Sequence, residues 1–164
     1  MEEIKKAIDR IVEAEGQPEV VQLSGGEPTI HPDFVDVVKY AIEQPIDYLT
    51  VNTNGLRFAK DRNLLEQLSP YRDRLEVFLQ FDGFEDDHYR KLRGEALLVQ
   101  KLRAVDLLGE YGLNITLAVT LQGGVNEDQI VPIVKFAQQH RHITAINFQP
   151  ATYSGRYTIP EDLE

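Results

Sequence analysis

The chain has 164 residues and a formal net charge of −10, with 42% hydrophobic and 27% charged residues, which suits one globular domain with its own core. The acidic balance argues against a nucleic-acid partner, because phosphates are neutralised by clustered Lys and Arg. No stretch approaches the roughly 18 apolar residues of a membrane span, and the N-terminal MEEIKKAIDR is not a signal peptide, so we expect a cytoplasmic protein.

Helices and strands alternate along the chain. Apolar residues at i, i+3, i+4 and i+7 predict helices at 2–14, from about 31–33, and at 62–68, 96–111 and 128–139. Short apolar runs predict strands at 20–23, 48–52, 75–81, 114–120 and 145–149.

Strands separated by helices require parallel pairing with right-handed crossovers. We therefore predict an α/β protein in which five parallel strands in sequential order form an open arc, a partial (β/α) TIM-like barrel. No linker or composition shift divides the sequence, so residues 1–164 are expected to form a single domain.

Polar residues gather where the predicted strands end. Ligands of parallel α/β folds bind at the carboxyl ends of the strands, and all five ends carry Gly, amide, hydroxyl or carboxylate groups. These polar ends are 24–29, 52–55, 80–83, 120–126 and 147–150. The loops at the opposite edge are plainer, which predicts one polar pocket at one edge of the sheet.

The segment LSGGEP places two glycines and a glutamate directly after an apolar strand. Gly25 and Gly26 suit either a tight turn or a ligand lying against bare backbone, and Glu27 offers an acceptor for a positively charged group. Arg93 either ends a short helix or grips a ligand carboxylate through two bonds. Helix capping explains the acidic run at 86–88 better than a metal site, so no metal ligand is predicted.

Five segments occur in order on successive βα units: LSGGEPTIHPDF, VNTNG, LQFDGFEDDHYRKLRG, VTLQGGVNEDQI and INFQPA. The ordered set, which covers nearly the whole chain, resembles the radical S-adenosylmethionine (radical SAM) enzymes. In that family a partial (β/α)6 barrel holds a [4Fe–4S] cluster and S-adenosylmethionine, and the reduced cluster cleaves this ligand to a 5′-deoxyadenosyl radical. The segments LQFDG and YRKLRG are most similar to the branch that contains the archaeal tetraether lipid-forming enzymes.

The resemblance implies a set of cofactor-binding residues. Carbonyl groups of Gly25 and Gly26 and the carboxylate of Glu27 would accept from the methionine ammonium, which has three donors. Gln80 matches a position that faces the ribose hydroxyls, and Asp82 lies just beyond it. The other candidates are polar residues at strand ends or beside them: Thr53 and Asn54, Arg93 for the methionine carboxylate, and Asn126 and Gln149 at the adenosine end.

The chain contains no cysteine, whereas the family holds its cluster with the thiolates of a Cys-x3-Cys-x2-Cys loop. In the family this loop follows the first strand and precedes the first helix, and the chain begins at what would be that helix. We therefore expect a fragment of a radical SAM enzyme whose first strand and cysteine loop lie upstream. The fragment itself would be inactive, with an unidentified substrate for the whole enzyme.

Two other interpretations stay open. The chain could be a non-catalytic module with a degenerate barrel that binds a nucleoside or S-adenosylmethionine. It could also be a barrel lyase or aldolase that uses Glu27 or Asp82 as a base, although no Lys lies at a strand end in the sequence to form a Schiff base.

Loss of a first strand would leave the strand at 20–23 as an unprotected sheet edge, because it contains no Lys or Pro to discourage pairing. We expect this edge to be covered by a homodimer contact or by the N-terminal helix.

The missing thiolates predict that the chain by itself does not hold an iron–sulfur cluster. Anaerobic incubation with iron and sulfide, followed by desalting, should give protein without thiolate-to-iron charge-transfer absorption. A stoichiometric, EPR-active cluster would contradict this expectation.

Overall fold

The computed structural model describes residues 1–152, and within them it contains six α-helices and five strands. The helices are α1 (Glu2–Glu15), α2 (Phe34–Glu43), α3 (Arg62–Leu68), α4 (Asp86–Arg93), α5 (Leu98–Glu110) and α6 (Ile130–Gln139). The strands are β1 (Val20–Leu23), β2 (Tyr48–Thr53), β3 (Leu75–Gln80), β4 (Asn114–Leu121) and β5 (Ile143–Pro150). The last part of the predicted domain, 153–164, lies outside the described residues.

The strands form one sheet in the order β1-β2-β3-β4-β5, and every neighbouring pair is parallel. The predicted five-stranded parallel arrangement in sequential order is therefore confirmed. Crossovers of one hand between sequential neighbours place the helices on one face of the sheet. As a result, all five strands point their carboxyl ends toward the same edge.

The core lies between the sheet and this layer of helices. In β3, alternate side chains from Leu75 to Leu79 are buried, whereas those from Glu76 to Gln80 are half-exposed. The buried set packs with Leu65 of α3 and other apolar helix residues. The opposite face of the sheet is thus the open, more polar side of the arc. No helix in the part of the chain that the structure describes is long and apolar enough to cross a membrane.

The element boundaries differ from the predicted ones mainly beside polar loops. A 3-10 turn, Pro28–Ile30, precedes α2, because the Glu27 side chain accepts a bond from the Thr29 amide and caps that turn. A second 3-10 turn, Glu127–Gln129, occupies the start of the helix predicted at 128–139. Helix α4 ends at Arg93, followed by Gly94 in the left-handed region at φ 85°.

Strand β1 is an edge of the sheet. Its first residue, Val20, keeps 56% of its surface exposed. Helix α1 packs beside α2, and residues of these helices and of β1 line a groove of about 360 Å³. The N-terminal helix therefore lies close to the edge strand, although the outer side of β1 is left uncovered by the described residues.

Gly55, two residues after the end of β2, gives a test of how tightly the strand ends pack. It has φ 76°, and a Cβ there would lie 2.3 Å from Leu79 Cδ1. Gly124, with φ 70° and nothing within 4 Å of a Cβ, is the matched control. We expect Gly124→Ala to cost about 1 kcal/mol from backbone strain alone, and Gly55→Ala about 1–3 kcal/mol more from overpacking.

Urea unfolding of the two variants measures this difference. Equal losses of unfolding free energy in the two variants would contradict the close approach of Gly55 to Leu79.

Candidate functional site

The carboxylate of Glu27 joins the ends of β1 and β2. Its Oε1 accepts from the Thr29 amide at 3.1 Å, from the Thr29 hydroxyl at 2.6 Å and from the Thr53 hydroxyl at 2.7 Å. Among residues 1–152, its Oε2 accepts only from the Asn54 amide, at 2.7 Å. Because a carboxylate oxygen offers about two acceptor sites, Oε2 keeps capacity for one more donor.

The two glycines before Glu27 leave the main chain open. Gly25 and Gly26 have φ values of 103° and 53°, and a Cβ on either would meet nothing within 4 Å. Both are exposed. A ligand can therefore reach the backbone beside Glu27 without displacing a side chain.

A second carboxylate, Asp82, joins the ends of β3 and β4. It is fully buried and accepts from Arg93 Nε at 2.8 Å, from Arg93 Nη2 at 3.1 Å and from the Thr120 amide at 3.0 Å. Nη2 also donates to the Thr120 hydroxyl at 2.8 Å. This paired arrangement compensates a buried charge that would otherwise be costly.

The loop after β4 secures the loop after β3. The Asn126 side chain is buried, and its amide donates to the Asp82 carbonyl at 2.9 Å and to the Thr120 carbonyl at 2.8 Å. Gln129 accepts from the Phe84 amide at 2.9 Å, and its side chain lies where a Cβ on Gly83 would be, at 2.7 Å. Asn126 thus fixes the geometry at Asp82 with both of its donors.

Gln80 lies between two cations. With its amide oxygen toward Arg93 it accepts from Nη1 at 3.0 Å and Nη2 at 3.1 Å; with the oxygen toward Lys101 it accepts from Nζ at 3.4 Å. The oxygen and nitrogen ends of the amide have nearly the same shape, so both orientations fit the space. The bonds to Arg93 are shorter than the bond to Lys101. A single amide oxygen cannot serve both cations in these directions.

Lys101 was not among the residues predicted from the sequence. It extends from α5 to the ends of β2 and β3, is fully buried, and donates to the Asn54 carbonyl at 2.6 Å. Burial lowers the pKa of this ammonium to about 8, with Asp82 acting in the opposite direction. The expectation that no Lys lies at the strand ends is therefore wrong: Lys101 belongs to a helix in the sequence, but its side chain reaches the strand ends in the folded structure.

A sequence signal for Lys101 existed. It precedes Ala104, Val105 and Leu108 at the i+3, i+4 and i+7 spacing of a buried helix face, and all three are buried. A Lys is unusual on a buried helix face, so its presence there indicates that its ammonium has a hydrogen-bonding partner at the sheet.

The structure brings together nine of the ten predicted residues in two neighbouring groups. Glu27 with its glycines, Thr53 and Asn54 forms the first group, and Gln80, Asp82, Arg93 and Asn126 form the second. Gln149 is exposed on β5, beside Thr120 in the register, and no hydrogen bond within residues 1–152 ties its side chain to either group.

Asp86 and Asp87 of the acidic run at 86–88 lie in the first turn of α4, whose N-cap residue makes no side-chain capping bond. Asp86 accepts from the Leu98 amide at 3.0 Å, and Asp87 pairs with Arg90 at 2.5 Å. In residues 1–152, ligand atoms of one group of potential metal-binding side chains, Glu85, His88 and Asp128, lie within 4.8 Å of one another. Its two carboxylates are exposed, whereas His88 is buried.

The structure is thus a parallel α/β partial barrel with charged and polar side chains gathered at the carboxyl edge of its sheet. The sequence profile of the Radical SAM superfamily matches residues 1–137. The chain therefore belongs to the radical SAM superfamily, whose enzymes use S-adenosylmethionine and a [4Fe–4S] cluster.

Known relatives include 7,8-dihydro-6-hydroxymethylpterin dimethyltransferase of Methanocaldococcus jannaschii, 29% identical over 94% of this chain and 31% of that protein. Probable GTP 3′,8-cyclase of Methanosarcina mazei is 30% identical over 85% of this chain and 42% of that protein. The chain thus spans less than half the length of these relatives. The solved structure of native anSMEcpe with bound AdoMet superposes with a TM-score of 0.69 at 16% identity, over 94% of this chain and 44% of that one.

The Asp82–Arg93 pair leads to a stability prediction. Asp82→Asn leaves the Arg93 guanidinium without its charged partner and places a donor where three donors now converge, so we expect a loss of about 3–5 kcal/mol. Asp87→Asn, which breaks an exposed pair with Arg90, should cost no more than about 1 kcal/mol.

Chemical denaturation of the two variants compares these losses. A loss for Asp82→Asn as small as that for Asp87→Asn would show that the buried pair does not hold β3 and β4 together.

Proposed function

We propose that this chain binds S-adenosylmethionine at the carboxyl edge of its sheet and contributes this binding surface to a radical SAM enzyme. The observation that carries the proposal is the Glu27 carboxylate, which keeps an acceptor site on Oε2 beside two uncovered glycines. An ammonium requires several acceptors in a cone. Backbone carbonyls next to Gly25 and Gly26, together with Glu27, supply such a set.

The second group of residues would face the rest of the ligand. Gln80 is half-exposed on the open face of the sheet, in a position to reach ribose hydroxyls. Arg93 keeps 24% of its side chain exposed while Asp82 occupies two of its nitrogens. In this proposal, Asp82 and Asn126 are positioning residues that hold Arg93 and the loop after β3. Thr53 and Asn54 hold Glu27, and Gln149 extends the same edge on β5.

The residues present fit S-adenosylmethionine but not the iron–sulfur cluster, because the chain offers no thiolate. In the family, the cluster supplies the electron for reductive cleavage of the bound ligand. We propose that cysteines encoded outside these 164 residues hold it, so that the parent protein is the active oxidoreductase or transferase and this chain alone is inactive. Its substrate and its placement in the archaeal lipid branch stay predictions.

A non-catalytic module that binds S-adenosylmethionine or a nucleoside is the second candidate, favoured by the absence of cysteine. The reading frame around the sequence separates the two: a Cys-x3-Cys-x2-Cys segment encoded before residue 1 supports the enzyme, and a frame without cysteines supports the module. A cytoplasmic location and a homodimer through the exposed edge of β1 also belong to the proposal.

The proposal predicts that Glu27→Gln weakens S-adenosylmethionine binding at least about tenfold, because a charged acceptor contributes about 1.5–3 kcal/mol. Glu13→Gln, an equal change of charge on the exposed face of α1, should leave the affinity unchanged. Isothermal titration calorimetry at pH 7 gives both dissociation constants.

The ligand 5′-deoxy-5′-methylthioadenosine lacks the amino acid part of S-adenosylmethionine and serves as a second control. Its affinity should be equal in the wild type and in Glu27→Gln. An equal weakening of both ligands would show that Glu27 acts only on the loop structure and would overturn its assignment to the ammonium.

A further inference from the structure

Lys101 is a buried cation that the proposed binding role does not use. It is on α5 with no exposed surface, whereas lysines are almost never fully buried unless they are paired. Among the described residues, no carboxylate lies within salt-bridge distance of its Nζ; its bonds go to the Asn54 carbonyl and the Gln80 amide. Both belong to the candidate site.

Two main-chain groups of Asn54, in consecutive peptide units, connect Lys101 to Glu27. Its carbonyl accepts from Nζ at 2.6 Å, and its amide donates to Glu27 Oε2 at 2.7 Å. Oε2 is the oxygen that keeps a free acceptor site. A change at Nζ is therefore transmitted through one residue to the atom proposed to receive a ligand ammonium.

Lys101 also competes for Gln80. The Gln80 oxygen accepts either from Nζ at 3.4 Å or from Arg93 at 3.0 and 3.1 Å. A protonated Lys101 presents only donors, whereas a neutral amine can accept from the Gln80 amide nitrogen. The protonation state of Lys101 therefore influences which end of the Gln80 amide faces Arg93.

The surroundings of Lys101 come from several elements. Burial lowers its pKa to about 8; Asp82 after β3, Glu27 after β1 and Glu95 before α5 favour the charged form, and Arg93 on α4 disfavours it. The Tyr89 ring centroid lies 6.0 Å from Nζ. The Asn54 carbonyl and these carboxylates favour an ammonium at this position, while burial opposes it, and a buried charged group can often be replaced by an apolar side chain of similar size without loss of stability.

We propose that Lys101 is a positioning residue of the ligand site: it holds the Asn54 carbonyl and competes with Arg93 for the Gln80 amide, and so sets how Glu27 and Gln80 meet a ligand. This inference rests on the proposed binding of S-adenosylmethionine. It differs from a structural role, because a purely structural Lys would be needed for stability rather than for affinity.

The experiment compares Lys101→Met with Lys135→Met, an exposed control on α6. We expect Lys101→Met to bind S-adenosylmethionine at least tenfold more weakly by calorimetry at pH 7 while unfolding at an equal or higher urea concentration. Lys135→Met should match the wild type in both. Wild-type affinity in Lys101→Met, or a large loss of its stability, would overturn the positioning role.

A restoration variant uses the absence of cysteine in the chain. Lys101→Cys can be aminoethylated selectively in urea and refolded, which restores a cationic side chain of the same length. Its affinity should return to within about threefold of the wild type (a factor of three is under 1 kcal/mol). An affinity as weak as that of Lys101→Met, in a folded protein, would count against the proposal.

The pH dependence of stability gives a readout without ligand. Because the folded pKa of about 8 lies below the ordinary 10.5, the unfolded chain binds more protons between these values, and stability should rise with pH across this window. Lys101→Met should lack this rise. If the unfolding free energy rises equally with pH in both proteins, another group titrates in this window, and the burial of a charged Lys101 is contradicted.

NMR separates failure of this inference from failure of the proposed function. If the wild type does not bind S-adenosylmethionine, the proposed function fails, and the positioning role is decided by two signals. The Gln80 side-chain amide should shift with a midpoint near pH 8 in the wild type only, and the Asn54 amide should lose exchange protection in Lys101→Met. Unchanged signals in the variant would overturn the role of Lys101.

Discussion

Two carboxylates at the carboxyl edge of the sheet determine how the strand ends meet. Glu27 binds the loops after β1 and β2, and Asp82 binds the loops after β3 and β4. A parallel sheet needs such connections, because its ladder bonds stop where the strands end and the loops diverge into helices. In this chain the residues that stabilise the loops therefore lie at the same edge of the sheet as the proposed ligand site.

The fold was predictable because its signals are local and repeated. Alternating apolar runs and helical periodicities defined every strand, and the length of each connection excluded hairpins. The shifted helix starts at Phe34 and Ile130 arise from polar turns, where Glu27 caps Pro28–Ile30 and Asn126 precedes Glu127–Gln129. The capping bond of Glu27 depends on side-chain geometry that periodicity does not report.

The sequence predicted most of the residues that belong to the site, but not which of them bond to one another. Strand-end position was enough to select Glu27, Asn54, Gln80 and Asp82, because parallel strands bring their ends to one edge. The sequence did not reveal that two nitrogens of Arg93 donate to Asp82, because the two residues belong to different elements. Strand-end position could not select Lys101, because this residue belongs to a helix and reaches the strand ends only through its side chain.

The charges of the site balance within a short path. Glu27 and Asp82 are acidic, and Lys101 and Arg93 are basic. The main-chain N–H and C=O of Asn54 link Glu27 to Lys101, the Gln80 side chain lies between Lys101 and Arg93, and Arg93 pairs with Asp82. The two cations differ in how they can respond to a charged neighbour. Arg93 cannot release a proton, because a guanidinium stays protonated in proteins. Burial lowers the pKa of Lys101 to about 8, so in the proposed complex Lys101 is the cation of this path whose charged form a ligand ammonium beside Glu27 would disfavour.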